Sequence, residues 1–165
     1  MKKMGAIFGA LLLGLLVVAA TYAYWSQTLS ISGTVSTGYL QAKIVNVTTY
    51  DNEVTYDVGT ITATIGANGT SATITISNAY PGYNATAVFT IKNTGSIPVK
   101  LSDVVNNNNT EINVTTTWSG LDANGVLLPN STATLTVLTS VTDLAAQNST
   151  YTYNITINVA QFNAP

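Results

Sequence analysis

Apolar and polar residues alternate in short runs along most of this chain. Over residues 24–35, Trp25, Leu29, Ile31 and Val35 stand at odd positions, with Gln27 and Gly33 as exceptions. The even positions hold Tyr24, serines and threonines. A period of two is the mark of a strand buried on one side. The phase changes at Gly38, after which Leu40, Ala42 and Ile44 are even. Ser36-Thr37-Gly38 supplies the bend this needs, and a second strand is predicted over residues 39–47. The next ten residues are polar, with a short strand expected at 54–56.

A hairpin follows. Ile61, Ala63 and Ile65 oppose Ala72, Ile74 and Ile76 across Ala67-Asn68-Gly69-Thr70, and Asn-Gly tolerates the positive φ of hairpin turns. Tyr80-Pro81-Gly82-Tyr83 is a further turn. Ala85, Ala87, Phe89 and Ile91 then line one face of a strand. Pro98 cannot donate to a ladder, so residues 97–101 read as an edge or irregular strand. Asn106 to Asn109 form a loop. Ile112, Val114, Thr116 and Trp118 face one way, and Asn124-Gly125 turns the chain. Ala133, Leu135 and Val137 are the inner side of another strand. Residues 141–147 read as one helical turn or a loop. Tyr151, Tyr153, Ile155, Ile157 and Val159 share a face of the last strand.

Nine or ten strands with recurring turns and no helix in the body predict an all-β fold. The expected architecture is an antiparallel β-sandwich of jelly-roll or immunoglobulin-like type. The expected organisation is an export signal over 1–23, an N-terminal strand over 24–37 and a sandwich over 38–165.

The first residues set the compartment. Lys2 and Lys3 precede an apolar run from Gly5 to Ala20, and Thr21-Tyr22-Ala23 offers small residues for cleavage after Ala23, with Ala20 as the other position. This is the pattern of a secretory signal helix. An alternative reading cuts between Gly5 and Ala6, leaving an N-terminal helix as in a type IV-like pilin. A third leaves the run uncleaved as an anchor. All three place the body outside the cell, with membrane contact only during export in the first.

Composition narrows the chemistry. The chain has no cysteine and no histidine, and all five of its basic residues are lysines. An exported fold without disulfides is held by packing alone. Past the signal, three lysines face seven acidic residues, a net charge of −4. That balance argues against a nucleic-acid partner, whose phosphates demand cations. No phosphate loop or nucleophile–base pair is present, and no cofactor, metal or catalytic residue is expected. Asp51, Glu53 and Asp57 are the one acidic cluster. Their spacing matches no calcium loop, and they read as solvated loop charges. A surface rich in Thr and Asn with few charges has little repulsion to keep copies apart.

Asn-x-Ser/Thr occurs at Asn46, Asn68, Asn84, Asn108, Asn113, Asn130, Asn148 and Asn154. Asn84, Asn113 and Asn154 fall on outward faces in this reading, and Asn68, Asn108, Asn130 and Asn148 in turns, where glycan requires exposure.

The strand at 25–35 has two fates. It closes its own sheet through a turn at 36–38, or it completes the sheet of a neighbour with Trp25, Leu29, Ile31 and Val35, Gly33 leaving a notch for a bulky acceptor side chain. The residues from Ala23 through Tyr24-Trp25-Ser26-Gln27-Thr28-Leu29-Ser30-Ile31-Ser32-Gly33 to Leu40 resemble the mature start of the TasA/camelysin family of matrix fibre proteins, nearest to the archaeal bundling pilins. Tyr80-Pro81-Gly82-Tyr83-Asn84 with Phe89 through Pro98 is similar to that family's mid-domain strand and turn, and Tyr151 to Asn163, ending Ala160-Gln161-Phe162-Asn163, to its closing strand. The resemblance implies a secreted jelly-roll subunit, a homopolymer joined by donated strands, whose filaments associate laterally in a biofilm. Camelysin's protease association is not carried over, because the chain lacks a zinc-binding motif. The other expectation, from a different class, is a monomeric adhesion or carbohydrate-binding module.

Overall fold

The computed structural model describes residues 2–21 and 27–164. It divides into two units, Met1–Ser36 and Thr37–Pro165. In the first, α1 (Lys2–Thr21) is a single helix, and residues 27–36 have no regular secondary structure. Trp25 and the expected cleavage position after Ala23 lie outside the described residues.

The second unit is β-rich and its sheets are antiparallel. One sheet has the order β1-β4-β8-β6, formed by β1 (Ala42–Asp51), β4 (Asn84–Asn93), β8 (Thr132–Val141) and β6 (Ile112–Ser119). A second has the order β7-β5-β9, formed by β7 (Val126–Leu127), β5 (Val99–Asn106) and β9 (Asn154–Gln161). The third is the hairpin β2 (Thr60–Ile65) and β3 (Ala72–Ser77).

Alternation decides what is inside. Ala87, Phe89 and Ile91 of β4 and Ala133, Leu135 and Val137 of β8 form one buried face. Val99 and Leu101 of β5 and Leu127 of β7 meet it from the other side. Ile61, Ala63, Ala72 and Ile74 of the hairpin, with Ile155 and Ile157 of β9, pack on the same core and are partly buried. The hairpin and the β7-β5-β9 sheet thus cover the face of the four-stranded sheet. The Trp118 indole of β6 donates to the Asp103 carboxylate of β5 at 2.6 Å, tying the layers along one flank.

The strands define two ends. At one, β1 and β5 begin, β4 and β9 end, and the tip of the β2–β3 loop returns to β1 through the Ile44 amide, which donates to the Gly69 carbonyl at 2.8 Å. Asn93 is fully buried there. Its amide donates to Ile97 and Leu127 carbonyls at 2.9 and 3.0 Å and accepts from the Gly95 amide at 2.9 Å. At the other end lie the loop between β1 and β2, the Tyr80–Tyr83 turn and the approach to β9.

Several expectations are corrected. β1 starts at Ala42 and runs on to Asp51, because a register shift between Ile44 and Asn46 re-phases the strand and turns Val47 inward. Residues 54–56 form no strand. Pro98 sits just before β5, so its missing N–H costs no ladder bond, and β5 is the central strand of its sheet. Of the two readings for residues 141–147, the loop is the one found: Val141 ends β8, and 142–147 is a loop with turns. The two-residue β7 has too little sequence to show a period.

Candidate functional site

Among the described residues, β3 pairs only with β2, and β9 pairs only with β5. Between these two strands lies a groove with a volume of about 450 Å³. Thr70 to Ile74 form one wall, and Tyr151 to Ile155 with Ile157 form the other. Phe89, Leu135 and Val137 form the floor, and Ile44 lines it too. Close-packed cores contain few voids larger than a water molecule. This space is open to solvent along its length, a groove in the surface and not a void within the core.

The groove exists because of what its walls are. β2 packs beside β1, which turns β3 toward the middle of the layer. Both walls alternate: Ala72 and Ile74 point at the core between exposed Ser71, Thr73 and Thr75, and Ile155 and Ile157 do so between exposed Asn154, Thr156 and Asn158. Each wall is also a strand edge, and an edge presents unpaired backbone N–H and C=O groups. Among the described residues, no buried side-chain N or O lacks a hydrogen-bond partner. The backbone groups along the β3 and β9 edges stand in the geometry that an added extended chain can pair with.

The far mouth of the groove is held by two tyrosines. The Tyr151 hydroxyl accepts from the Ala146 amide at 2.9 Å. The Tyr153 hydroxyl and Thr139 Oγ1 lie 2.9 Å apart. Burial pushes the Tyr153 phenol above its ordinary pKa, against a smaller opposing effect of that hydrogen bond. In sequence both read as part of the last strand's apolar face, but β9 begins at Asn154 and both stand in the segment before it. Their position beside β3 was not legible, because the adjacency of β3 and β9 crosses some eighty residues of sequence.

The segment expected to be donated carries its apolar side chains in the open. Leu29 is 85%, Ile31 99% and Val35 90% exposed. A Cβ placed on Gly33 meets nothing within 4 Å. Three aliphatic side chains at alternate positions, all in water, are an exposure with a hydrophobic cost and no local compensation.

Asp51, Glu53 and Asp57 come together, with ligand oxygens within 4.8 Å of one another. Two of them knit their own loop. Glu53 accepts from the Val58 and Gly59 amides at 3.0 Å each and from the Tyr80 hydroxyl at 2.9 Å. Asp51 accepts from the Glu53 amide at 3.1 Å and the Tyr83 hydroxyl at 3.0 Å. The Glu53 hydrogen bond is the main cause that raises the Tyr80 pKa. Burial first, then the Asp51 hydrogen bond, raises that of Tyr83. Gly59 is required beneath Tyr83, since a Cβ there would lie 2.4 Å from the ring.

Seven of the Asn-x-Ser/Thr asparagines, Asn46, Asn68, Asn108, Asn113, Asn130, Asn148 and Asn154, are exposed. Asn130 and Asn148 adopt positive φ, as turn asparagines do. Asn84, expected on an outward face, is only half exposed. Its side-chain amide donates to the Gly82 carbonyl at 3.2 Å. No protein-family model matches this chain, and no curated protein matches it.

Proposed function

We propose that this chain is an extracellular structural subunit that polymerises head to tail. The N-terminal segment of one copy, Leu29, Ile31 and Val35 with Trp25 before them, enters the β3–β9 groove of the next. One observation carries the reading: a groove bounded by two strand edges and an exposed alternating apolar segment occur in one chain. With the segment in place the second layer reads β2-β3-insert-β9-β5-β7, a continuous sheet over the four-stranded one, which is a sandwich of jelly-roll type. Because the contact is heterologous it propagates into a fibre. The resemblance to matrix fibre proteins and bundling pilins supports secretion, lateral association of filaments and cell adhesion. The exposed asparagines are proposed as glycan carriers on the filament surface. The role is structural, without catalysis.

Deletion of residues 24–35 tests this. The truncated chain is expected to be secreted as single particles that form no filaments by negative-stain microscopy. Filaments from the truncated chain would refute the donated segment. A second reading, a type IV-like pilin, is favoured by the single helix over Lys2–Thr21. Sequencing the N-terminus of assembled material separates them: Ala6 supports the helical pilin, and Tyr24 supports the donated strand.

A further inference from the structure

The groove has two mouths, and chain direction tells apart the routes by which a strand reaches it. β3 starts at Ala72, beside the loop that Ile44 holds, and runs away from the Asn93 end. β9 runs toward the Asn93 end, finishing with Gln161 opposite Val99. β3 and β9 are therefore antiparallel to each other. Any strand between them is parallel to one and antiparallel to the other.

The attachment point of the N-terminal segment is fixed at the Asn93 end. The Tyr39 amide donates to Ser96 Oγ at 2.9 Å, and the Ser96 amide donates to the Tyr39 carbonyl at 3.0 Å. The Thr94 and Gly95 amides donate to the Gln41 carbonyl at 2.9 and 3.0 Å. Gly38 lies so close that a Cβ would be 2.3 Å from Ile97 Cγ2. A segment that enters its own groove from this end has residue 27 at the far mouth, so it runs parallel to β9. A pair of copies joined Asn93 end to Asn93 end gives the same direction and closes as a swapped dimer. Copies stacked in one direction give the opposite result. The segment then enters the neighbour through the far mouth and runs antiparallel to β9.

We infer that the inserted segment runs antiparallel to β9 and parallel to β3 of the next copy, and that the Asn93 end of each subunit seats on the far end of its neighbour. This rests on the donated-strand reading above. Two observations favour that direction. Antiparallel pairing is the stronger kind per residue, and this direction gives it to β9, which at eight residues is longer than β3 at six. The two ends that meet also both expose apolar side chains. The donor end offers Tyr39, Leu40, Leu128 and Phe162, and the acceptor end offers Val54, Tyr56, Val58 and Tyr80.

The chain has no cysteine, so engineered thiols report cleanly. Thr28 and Thr34 lie on the polar face of the segment, and Asn154 and Ala160 on the polar face of β9. Thr28 and Thr34 are separated by about 20 Å of extended chain, more than a crosslinker reaching two residues can bridge. Single-cysteine chains would be mixed, assembled and treated with such a crosslinker, and double-cysteine chains would be treated in parallel. Covalent dimers are expected from Thr34→Cys with Asn154→Cys and from Thr28→Cys with Ala160→Cys. Dimers from Thr28→Cys with Asn154→Cys and Thr34→Cys with Ala160→Cys would overturn the direction while keeping donation. Closure of those swapped pairs within one chain, without dimers, would overturn both. Filaments that crosslink in none of the four mixtures would show the groove is not where the segment sits.

Discussion

The Gly69 carbonyl accepts from the Ile44 amide at 2.8 Å, and a Cβ on Gly69 would lie 2.8 Å from the Ile44 carbonyl oxygen. This contact fastens the tip of the β2–β3 loop to β1 beyond the packing of the hairpin's apolar face. It therefore sets where the β3 edge stands and how wide the groove is.

Gly69→Ala is predicted to damage both stability and assembly. The residue sits at φ +68, where a side chain costs roughly 1–2 kcal/mol, and the new methyl must push the hairpin from β1. Thermal unfolding of the subunit should shift down by a few degrees. Filament yield should fall by more than that shift explains, because the displaced edge no longer matches its strand. Unchanged filament yield alongside the lower melting temperature would show that the clamp has no part in assembly.

Much of the fold can be read from residue order because alternation is local. The inner faces of β4 and β8 and the Asn-Gly hairpin each follow from a few neighbouring side chains. The Tyr80–Tyr83 turn is equally direct: Gly82 takes φ +88 and the Tyr83 amide donates to the Tyr80 carbonyl at 2.9 Å. The shift near Asn46 was hidden, since the adjacent Ile44 and Val45 offer equal apolarity to the two phases. The groove was hidden for a different reason. An expected donated strand implies a vacancy in some sheet, but which two edges bound it depends on β2 packing beside β1 and on β9 returning to β5. Neither pairing leaves a trace in local pattern. Asn93 reads only as a turn residue, and nothing near it announces that its amide joins two carbonyls 4 and 34 residues away.

Alkaline pH is predicted to weaken the subunit. The phenols of Tyr83 and Tyr153, chiefly through burial, and of Tyr80, chiefly through its hydrogen bond to Glu53, have pKa values raised above the ordinary 10.0. For such a group the unfolded chain gives up its proton first. Above about pH 10 the native state then binds more protons than the unfolded one, and stability falls with rising pH. The contribution is fully present below pH 10 and is lost as pH climbs through the raised native values. Melting temperatures between pH 8 and pH 11.5 should decline above pH 10, and Tyr83→Phe should make that decline shallower. An equal decline in Tyr83→Phe would assign the loss to other groups.

Glycan, where attached, should follow exposure. Peptide mass mapping of secreted protein is expected to find sugar among Asn46, Asn68, Asn108, Asn113, Asn130, Asn148 and Asn154, and the bare peptide at Asn84. The Asn84 amide is engaged with Gly82, and its backbone N–H donates to Asn52 Oδ1 at 2.9 Å. Modification there would require the turn to open. An intact mass equal to the bare polypeptide would remove glycan from the account altogether.

Substitutions in the exposed segment should separate assembly from folding. Leu29, Ile31 and Val35 are in water in the single subunit, so Ile31→Asp should leave its unfolding free energy within about 0.5 kcal/mol of the parent. In the groove the same side chain would face Phe89, Leu135 and Val137, where an unpaired carboxylate is costly. Burial of each aliphatic side chain is worth roughly 1.5–3 kcal/mol, so Ile31→Ala should weaken assembly about tenfold or more in critical concentration. Ile31→Asp should abolish it. The matched change on the even face, Ser30→Asp, keeps the charge outside the core and should still give filaments. Loss of filaments in Ser30→Asp and Ile31→Asp alike would point to charge in general. Filaments from Ile31→Asp as abundant as the parent's would mean that the odd face of this segment is not what the groove receives.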